Sequence, residues 1–275
     1  MTMSSTQAGE KLAIIIPARY QSTRYPAKPL ALLKGATGLS KSLIQRSWEC
    51  ALQAAAPENI WIATDDDRIA AAVEAFGGQI VMTSAACANG TERCADAVAR
   101  LGIAPDIVVN LQGDAPLTPA FVVTALVEAL AAAPDIMMMT PAIRCSGSVY
   151  RHLVEDQAQG RVGGTTVVFG RDRRALYFSK RVIPHLPPAA ADQPFPPVHL
   201  HLGVYAYRPA ALARYMALER SEIEELEGLE QLRFLDGGIP VGVVPFDPIA
   251  WDAIELNNPS DVAPIEAILA ARGIA

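Results

Sequence analysis

Arg19, Arg24 and Lys28 follow the apolar run LAIIIP in the stretch IIIPARYQSTRYPAKPL, with Pro17, Pro26 and Pro29 stiffening the chain between them. Guanidinium groups present planar forks of donors and an ammonium group a movable point charge; together they suit a polyphosphate. The prolines limit the loop's freedom and so lower the ordering cost of binding. The plainer alternative is a solvated basic loop. No glycine-rich phosphate loop of the Gly-Lys-Ser/Thr kind is present. The second chemical feature is Asp114, behind Gln112 and Gly113. A carboxylate at the end of a buried strand suits a hard divalent cation such as Mg²⁺, which takes one or two carboxylates and fills its remaining positions with water and phosphate. A turn aspartate is the competing reading.

These residues need a scaffold that brings them together, and the first half of the chain predicts one. LAIIIP, NIWIAT, QIVMT and DIVVNLQ are short apolar runs of the kind found in strands covered on both faces. Helical segments separate them: about Leu39 to Ala54, DDDRIAAAVEAFGG with acids in its first turn and glycines after its last, TERCADAVARLG, and TPAFVVTALVEALAAA opened by Thr118 with Pro119 at its first position. The alternation predicts an α/β fold with a Rossmann-like, mainly parallel sheet. Ligands of such sheets sit beyond the carboxyl ends of the strands. That places Pro17 to Lys28, Thr64 and Asp65, the segment before Gly90, and Gln112 to Asp114 on one side. In the second half IMMMTPAI, TTVVFG, ALYFSK and HLGVYAYR read as strands without clear crossover helices, a smaller antiparallel lobe. A Pro/Ala-rich loop, a helical pair (PAALARYMALE and EIEELEGLEQLRFLDGG), the strand PVGVVPF and a helix after Asn258-Pro259 complete the chain.

Composition sets the outer bounds. The 275 residues carry 23 Lys+Arg against 29 Asp+Glu, a net charge of -6, which argues against a nucleic-acid surface. The four cysteines form no zinc-ligand spacing and read as free thiols. The polar N-terminus lacks a signal-peptide core, and the most apolar tract is broken by Thr124, Glu128 and Asp135, so a cytoplasmic protein that does not span a membrane is expected.

The segment PARYQSTRYPAKPL resembles the signature of sugar-activating cytidylyltransferases. Further motifs follow in one order: ATD (Ala63 to Asp65), GTER (Gly90 to Arg93), NLQGDAP (Asn110 to Pro116), ALYFS (Ala175 to Ser179), Ile183-Pro184, HLGVYAYR (His201 to Arg208) and LEQLR (Leu229 to Arg233). In that order the chain is similar to the 3-deoxy-manno-octulosonate (Kdo) cytidylyltransferase family over nearly its whole length. The resemblance implies a nucleotide-diphospho-sugar transferase fold and a homodimer. It also implies transfer of CMP from CTP to a 2-keto sugar acid, with Mg²⁺ as cofactor. It implies catalytic roles for Arg19, Lys28 and Asp114, and a nucleotide site of Pro17, Ala18, Arg19, Arg24, Lys28, Thr64, Asp65, Gly90, Thr91, Arg93 and Gln112. On the sugar side it implies Gln112, Ser179, Lys180, His201, Tyr205, Glu230 and Gln231, and as metal ligands Asp114 and Asn257. Read without it, His201 is an ordinary strand histidine, Tyr205 a core aromatic, and Glu230 and Gln231 part of a solvated helix face. The chain reads as one domain, with a CTP half over about 12–135, sugar-binding and dimerisation elements over about 136–250, and a metal segment and helix over about 251–275.

Departures from the family pattern cluster on the acceptor and metal sides. Ala115 stands where the family has Glu, and Cys87 lies where it has Asp-His-x-Ser. Thr166 and Lys180 replace Lys and Arg. ELNNPSDV (Glu255 to Val262) replaces GVDTPEDL, so Asn257 stands for a metal-binding Asp. Asparagine offers an oxygen but no charge; Glu255 and Asp252 are neighbouring carboxylates able to share the role. Two expectations follow: a cytidylyltransferase for Kdo or a related sugar acid (an amino-substituted or nonulosonic one included), or a catalytically weakened relative that binds nucleotide or sugar.

Overall fold

The computed structural model describes residues 11–21, 25–250 and 254–275; the expected phosphate contact Arg24 and the neighbouring Asp252 lie outside them. Its strands are β1 (Leu12–Pro17), β2 (Leu32–Lys34), β3 (Ser40–Ser42), β4 (Ile60–Thr64), β5 (Gln79–Met82), β6 (Ile107–Leu111), β7 (Met138–Arg144), β8 (Thr165–Phe169), β9 (Ala175–Ser179), β10 (His199–His201), β11 (Val204–Tyr207) and β12 (Val241–Phe246). Its helices are α1 (Leu43–Ala51), α2 (Asp67–Ala75), α3 (Gly90–Leu101), α4 (Ala120–Ala132), α5 (Gly147–Ala158), α6 (Pro188–Ala191), α7 (Pro209–Ala217), α8 (Glu222–Glu227), α9 (Leu232–Asp236) and α10 (Val262–Ala271).

Strands β5, β4, β1 and β6 are parallel, in that order. Alternation along β1 divides the interior into two layers. Ile14 and Ile16 enter a core with Ile62, Val73, Val109 and Leu126, whereas Ile15 packs with Val81, Ala97, Val108 and Tyr207 on the opposite face. Each fully buried isoleucine contributes about 1.5–3 kcal/mol. The same sheet then continues antiparallel, because β11 pairs β6 on one edge and β7 on the other. Strand β7 also pairs β12 in parallel, while β10 joins β7 to β8 and β9.

Three local readings are corrected. The segment HLGVYAYR is not one strand. Both β10 and β11 run along β7, but the register between them shifts by two residues at Leu202 and Gly203. The sheet forks there, β11 turning to β6 and β10 to β8. The first helix begins at Leu43 rather than near Leu39, since Ser40–Ser42 pair with β2 and the Ser42 hydroxyl accepts the Gln45 amide as the cap. The long glutamate-rich helix is two short ones, α8 stopping at Gly228 in the left-handed conformation (φ 59). A helix was also missed: α5, capped by Ser146, crosses between β7 and β8. The fourth expected helix, α4, starts at Ala120 after Pro119, without a cap from Thr118.

Candidate functional site

The loops leaving β1, β4 and β6 converge at one end of the parallel strands. Gly113 allows this: a Cβ on it would lie 2.6 Å from the Pro17 carbonyl oxygen. Ser47 fastens the same turn by donating its hydroxyl to the Gly113 carbonyl at 2.9 Å. Between the loops lies a cavity of about 770 Å³. Its lining includes nine of the predicted residues, Pro17, Ala18, Arg19, Lys28, Gly90, Arg93, Gln112, Asp114 and Asn257, with Tyr20, Gln21, Asn89 and Gly113 beside them.

Lys28 Nζ donates to Asp114 Oδ2 at 2.6 Å in a half-buried pair. The chain reaches this point through Ala27, held at φ 58, which starts the short turn Lys28–Leu30. Arg19 is exposed and donates to the Ala88 carbonyl at 3.4 Å. Arg93, on α3, is buried (2 % exposed); it donates to Thr83 Oγ1 at 2.6 Å and approaches Asp65 Oδ1 at 3.3 Å. Asp65 therefore reaches the site through Arg93. Thr64 is buried at the end of β4, its hydroxyl accepting the Asp66 amide.

Other predicted residues lie under the cavity rather than on its wall. The Thr91 amide, at the start of α3, donates to Glu230 Oε2 at 2.8 Å, and its hydroxyl meets Tyr207 OH at 2.8 Å. Gln112 Nε2 donates to the other Glu230 oxygen at 3.2 Å. Burial pushes the Glu230 carboxyl up, against the pull of these donors. Glu230 is thus half-buried and bonded to α3 and Gln112 rather than part of a solvated helix face. Tyr205 donates to Gln231 Oε1 at 3.2 Å, both buried. His201 Nε2 lies 2.8 Å from Thr140 Oγ1, whose hydroxyl proton goes to the Val204 carbonyl at 2.8 Å. A hydroxyl has one proton, so the imidazole donates from Nε2; burial brings its pKa down to about 3 and keeps it neutral. Ser179 Oγ and the Lys180 amide both donate to Glu227, at 2.7 and 2.9 Å. They are organised around the end of α8, apart from the cavity wall.

Two further residues lie against those of the cavity: Asn110, beside Gly90, and Glu255, the carboxylate expected from the sequence to be able to share the metal role. Asn110 is fully buried in β6, yet neither amide atom has a partner among the described residues; Arg93 Nη2 and Gln231 Nε2 are likewise unpartnered. Buried polar atoms of this kind are satisfied by water or by a polar ligand. The signal was legible, a lone amide within the apolar run IVVNL. The second residue is Glu255. Its carboxylate accepts hydrogen bonds from the Asn257 side chain and the Gly203 backbone, and its pKa is pushed up to about 7, by burial first and by the neighbouring Asp114 charge second. The donor set around Asp114, two carboxylates and one amide, offers oxygens and no thiolate or imidazole. It fits a hard cation such as Mg²⁺, which completes its shell with phosphate and water.

The profile of the cytidylyltransferase family matches residues 13–240. Among curated relatives, the 3-deoxy-manno-octulosonate cytidylyltransferase of Maricaulis maris is 44% identical over 261 residues, covering 94% of this chain and 97% of its own. The 8-amino-3,8-dideoxy-manno-octulosonate cytidylyltransferase of Shewanella piezotolerans is 38% identical, covering 94% and 98%. A solved structure of CMP:2-keto-3-deoxy-manno-octonic acid synthetase complexed with CTP is similar at a TM-score of 0.79, with 32% identity over 95% of this chain and 99% of that one. From its sequence over nearly its full length, and from the fold it shares with that synthetase, the chain belongs to the 3-deoxy-manno-octulosonate cytidylyltransferase family.

Proposed function

We propose that the protein activates Kdo, or a closely related 2-keto sugar acid, by transferring CMP to it from CTP. The anomeric hydroxyl oxygen of the acid forms a bond to the α-phosphorus and gives up its proton to solvent, the bond from that phosphorus to the bridging oxygen breaks, and pyrophosphate leaves with the electron pair. Catalysis of such a transfer rests on positioning and charge neutralisation. In this reading Arg19, Arg24 and Lys28 grip the triphosphate, while Pro17, Ala18, Thr64, Asp65, Gly90, Thr91, Arg93 and Gln112 frame the nucleotide. Glu230, Gln231, Tyr205 and His201 shape the acceptor side together with Ser179 and Lys180. Asp114 and Asn257 hold Mg²⁺, which when bound supplies positive charge to the phosphate oxygens. The observation that carries the reading is the cavity in which Lys28, Arg19 and Arg93 face Asp114 at the carboxyl ends of the parallel strands.

The test is pyrophosphate release from CTP and Mg²⁺ with Kdo and with its 8-amino-8-deoxy counterpart. Release with either acid is expected; CTP binding without release for any 2-keto sugar acid would leave only a nucleotide-binding relative. The intact cation set favours the active enzyme over that second reading. The protein is further proposed to be a cytoplasmic homodimer. Val162, Leu176 and Phe195, each more than half exposed, supply apolar surface for the contact, and sedimentation at micromolar concentration tests it.

A further inference from the structure

Leu256 lies in the apolar cluster of Leu33, Leu43, Leu117, Ile265 and Leu269, and its amide donates to the Asp114 carbonyl at 2.8 Å. That bond fastens the C-terminal segment against the strand end that carries Asp114. Glu255 and Asn257 flank the buried leucine, and the Asn257 amide donates to the Glu255 carboxylate. Gly203 leaves room for this carboxylate: a Cβ on it would lie 3.0 Å from Glu255 Oε1. Asp114 and Asn257 both line the cavity, and the Glu255 carboxylate, bonded to Asn257 behind that wall, lies near enough to Asp114 to feel its charge. Like charges near one another in a poorly solvated place repel, and a divalent cation bound by both carboxylates would relieve that repulsion. We propose that Glu255 is the second anionic ligand of the divalent cation held by Asp114, with Asn257 contributing a neutral oxygen and steadying Glu255 through its amide. The carboxylate of the metal pair has thereby moved two residues along the chain, from the position of Asn257 to that of Glu255. Since the cation itself belongs to the function proposed above, this assignment rests on that reading.

Mn²⁺ serves as the probe, its binding to the full-length protein in the presence of CTP read from the loss of the free-ion electron paramagnetic resonance signal. Glu255→Gln keeps size and hydrogen bonding and removes charge. It is expected to weaken Mn²⁺ binding by about tenfold or more, as is Asp114→Asn. In the Glu255→Gln background, Asn257→Asp is expected to restore Mn²⁺ affinity by returning the charge. Mn²⁺ affinity within about twofold of the parent in Glu255→Gln, with a loss in Asp114→Asn, would overturn the role of Glu255 and leave the cytidylyl transfer standing. Conversely, loss in both variants combined with no CMP-sugar formation by the parent would uphold the ligand assignment and remove the proposed reaction. Should Glu255→Gln fail to fold, Glu255→Asp applies the same test, since the shorter carboxylate keeps its charge but not its reach.

Discussion

Lys28 and Asp114 form an ion pair at 2.6 Å on the wall of the cavity. Replacing Lys28 by Met removes a positive charge from the triphosphate site and leaves Asp114 unpaired. It is expected to raise KM for CTP and to lower kcat/KM by about 100-fold, the scale of one charge-stabilising group in a transition state. Steady-state kinetics with varied CTP measure it, and an unchanged kcat/KM would remove Lys28 from the phosphate site. His201 supports a prediction of different kind. Its imidazole has an ordinary pKa of 6.5 once unfolded and about 3 when folded. Below 6.5 the unfolded chain takes up a proton that the folded chain refuses, so stability falls as pH drops from 6.5 toward about 3 and this contribution levels off below that. His201→Gln removes this dependence. Denaturant midpoints at about pH 7 and about pH 4.5 should lie closer together in the variant than in the parent. An equal separation would show that the imidazole does not contribute to acid sensitivity.

The turn after β6 is built on a close approach that only glycine permits. Gly113→Ala would drive a methyl group against the Pro17 carbonyl at 2.6 Å, and backbone rather than a flexible side chain is what must yield. The expected result is a loss of about 1–3 kcal/mol in stability with a larger loss of activity, because the strain falls between Arg19 and Asp114. Thermal melting read beside kcat would show it; a variant with the parent's melting point and turnover would contradict the reading. At this scale the sequence was most readable where strand and helix alternate. The apolar runs of β1, β4, β5 and β6, and the glycine stops after α2 and α3, follow from local periodicity and capping. The bulge at Leu202 and Gly203 was not readable, since it arises from competition between β6 and β8 for neighbouring stretches of chain. The burial of Glu230 was hidden for a related reason. Its setting depends on the turn that Gly228 makes after α8 and on the start of α3, far away in the sequence. The lone Asn110 in β6 was visible as a residue type and Glu255 as a carboxylate able to share the metal role, but their surroundings required the fold.

Across the molecule, a network around the buried Arg233 links α8 and α9 to α3 and to the loop carrying Arg19. Arg233 binds both oxygens of Glu224 at 2.7 Å, reaches Glu92 on α3 at 3.2 Å and stacks 4.0 Å from the Tyr215 ring centroid. Glu92 in turn accepts the Ala88 amide at 2.7 Å, and the Ala88 carbonyl accepts from Arg19. Arg233→Met would strand two buried carboxylates and is expected to cost about 3–5 kcal/mol of stability, as breaking one side of a buried charge pair does. A guanidinium denaturation series measures it, and a shift below about 1 kcal/mol would mean that the network is already wet. The surviving enzyme should also bind CTP more weakly, because the loop carrying Arg19 loses its anchor.

The fork at Leu202 and Gly203 has a consequence for descent as well as for mechanics. Strands β8, β9 and β10 form the outer branch of the sheet beyond that point, while β11 remains paired with β6. On the function proposed above, new side chains on the outer branch would alter the acceptor side without moving the strands that carry the donor cavity. A lineage can in this way change which sugar acid it tags while keeping the tag itself. Recombinants that exchange residues between β7 and Leu202 are expected to trade acceptor preference and retain their affinity for CTP.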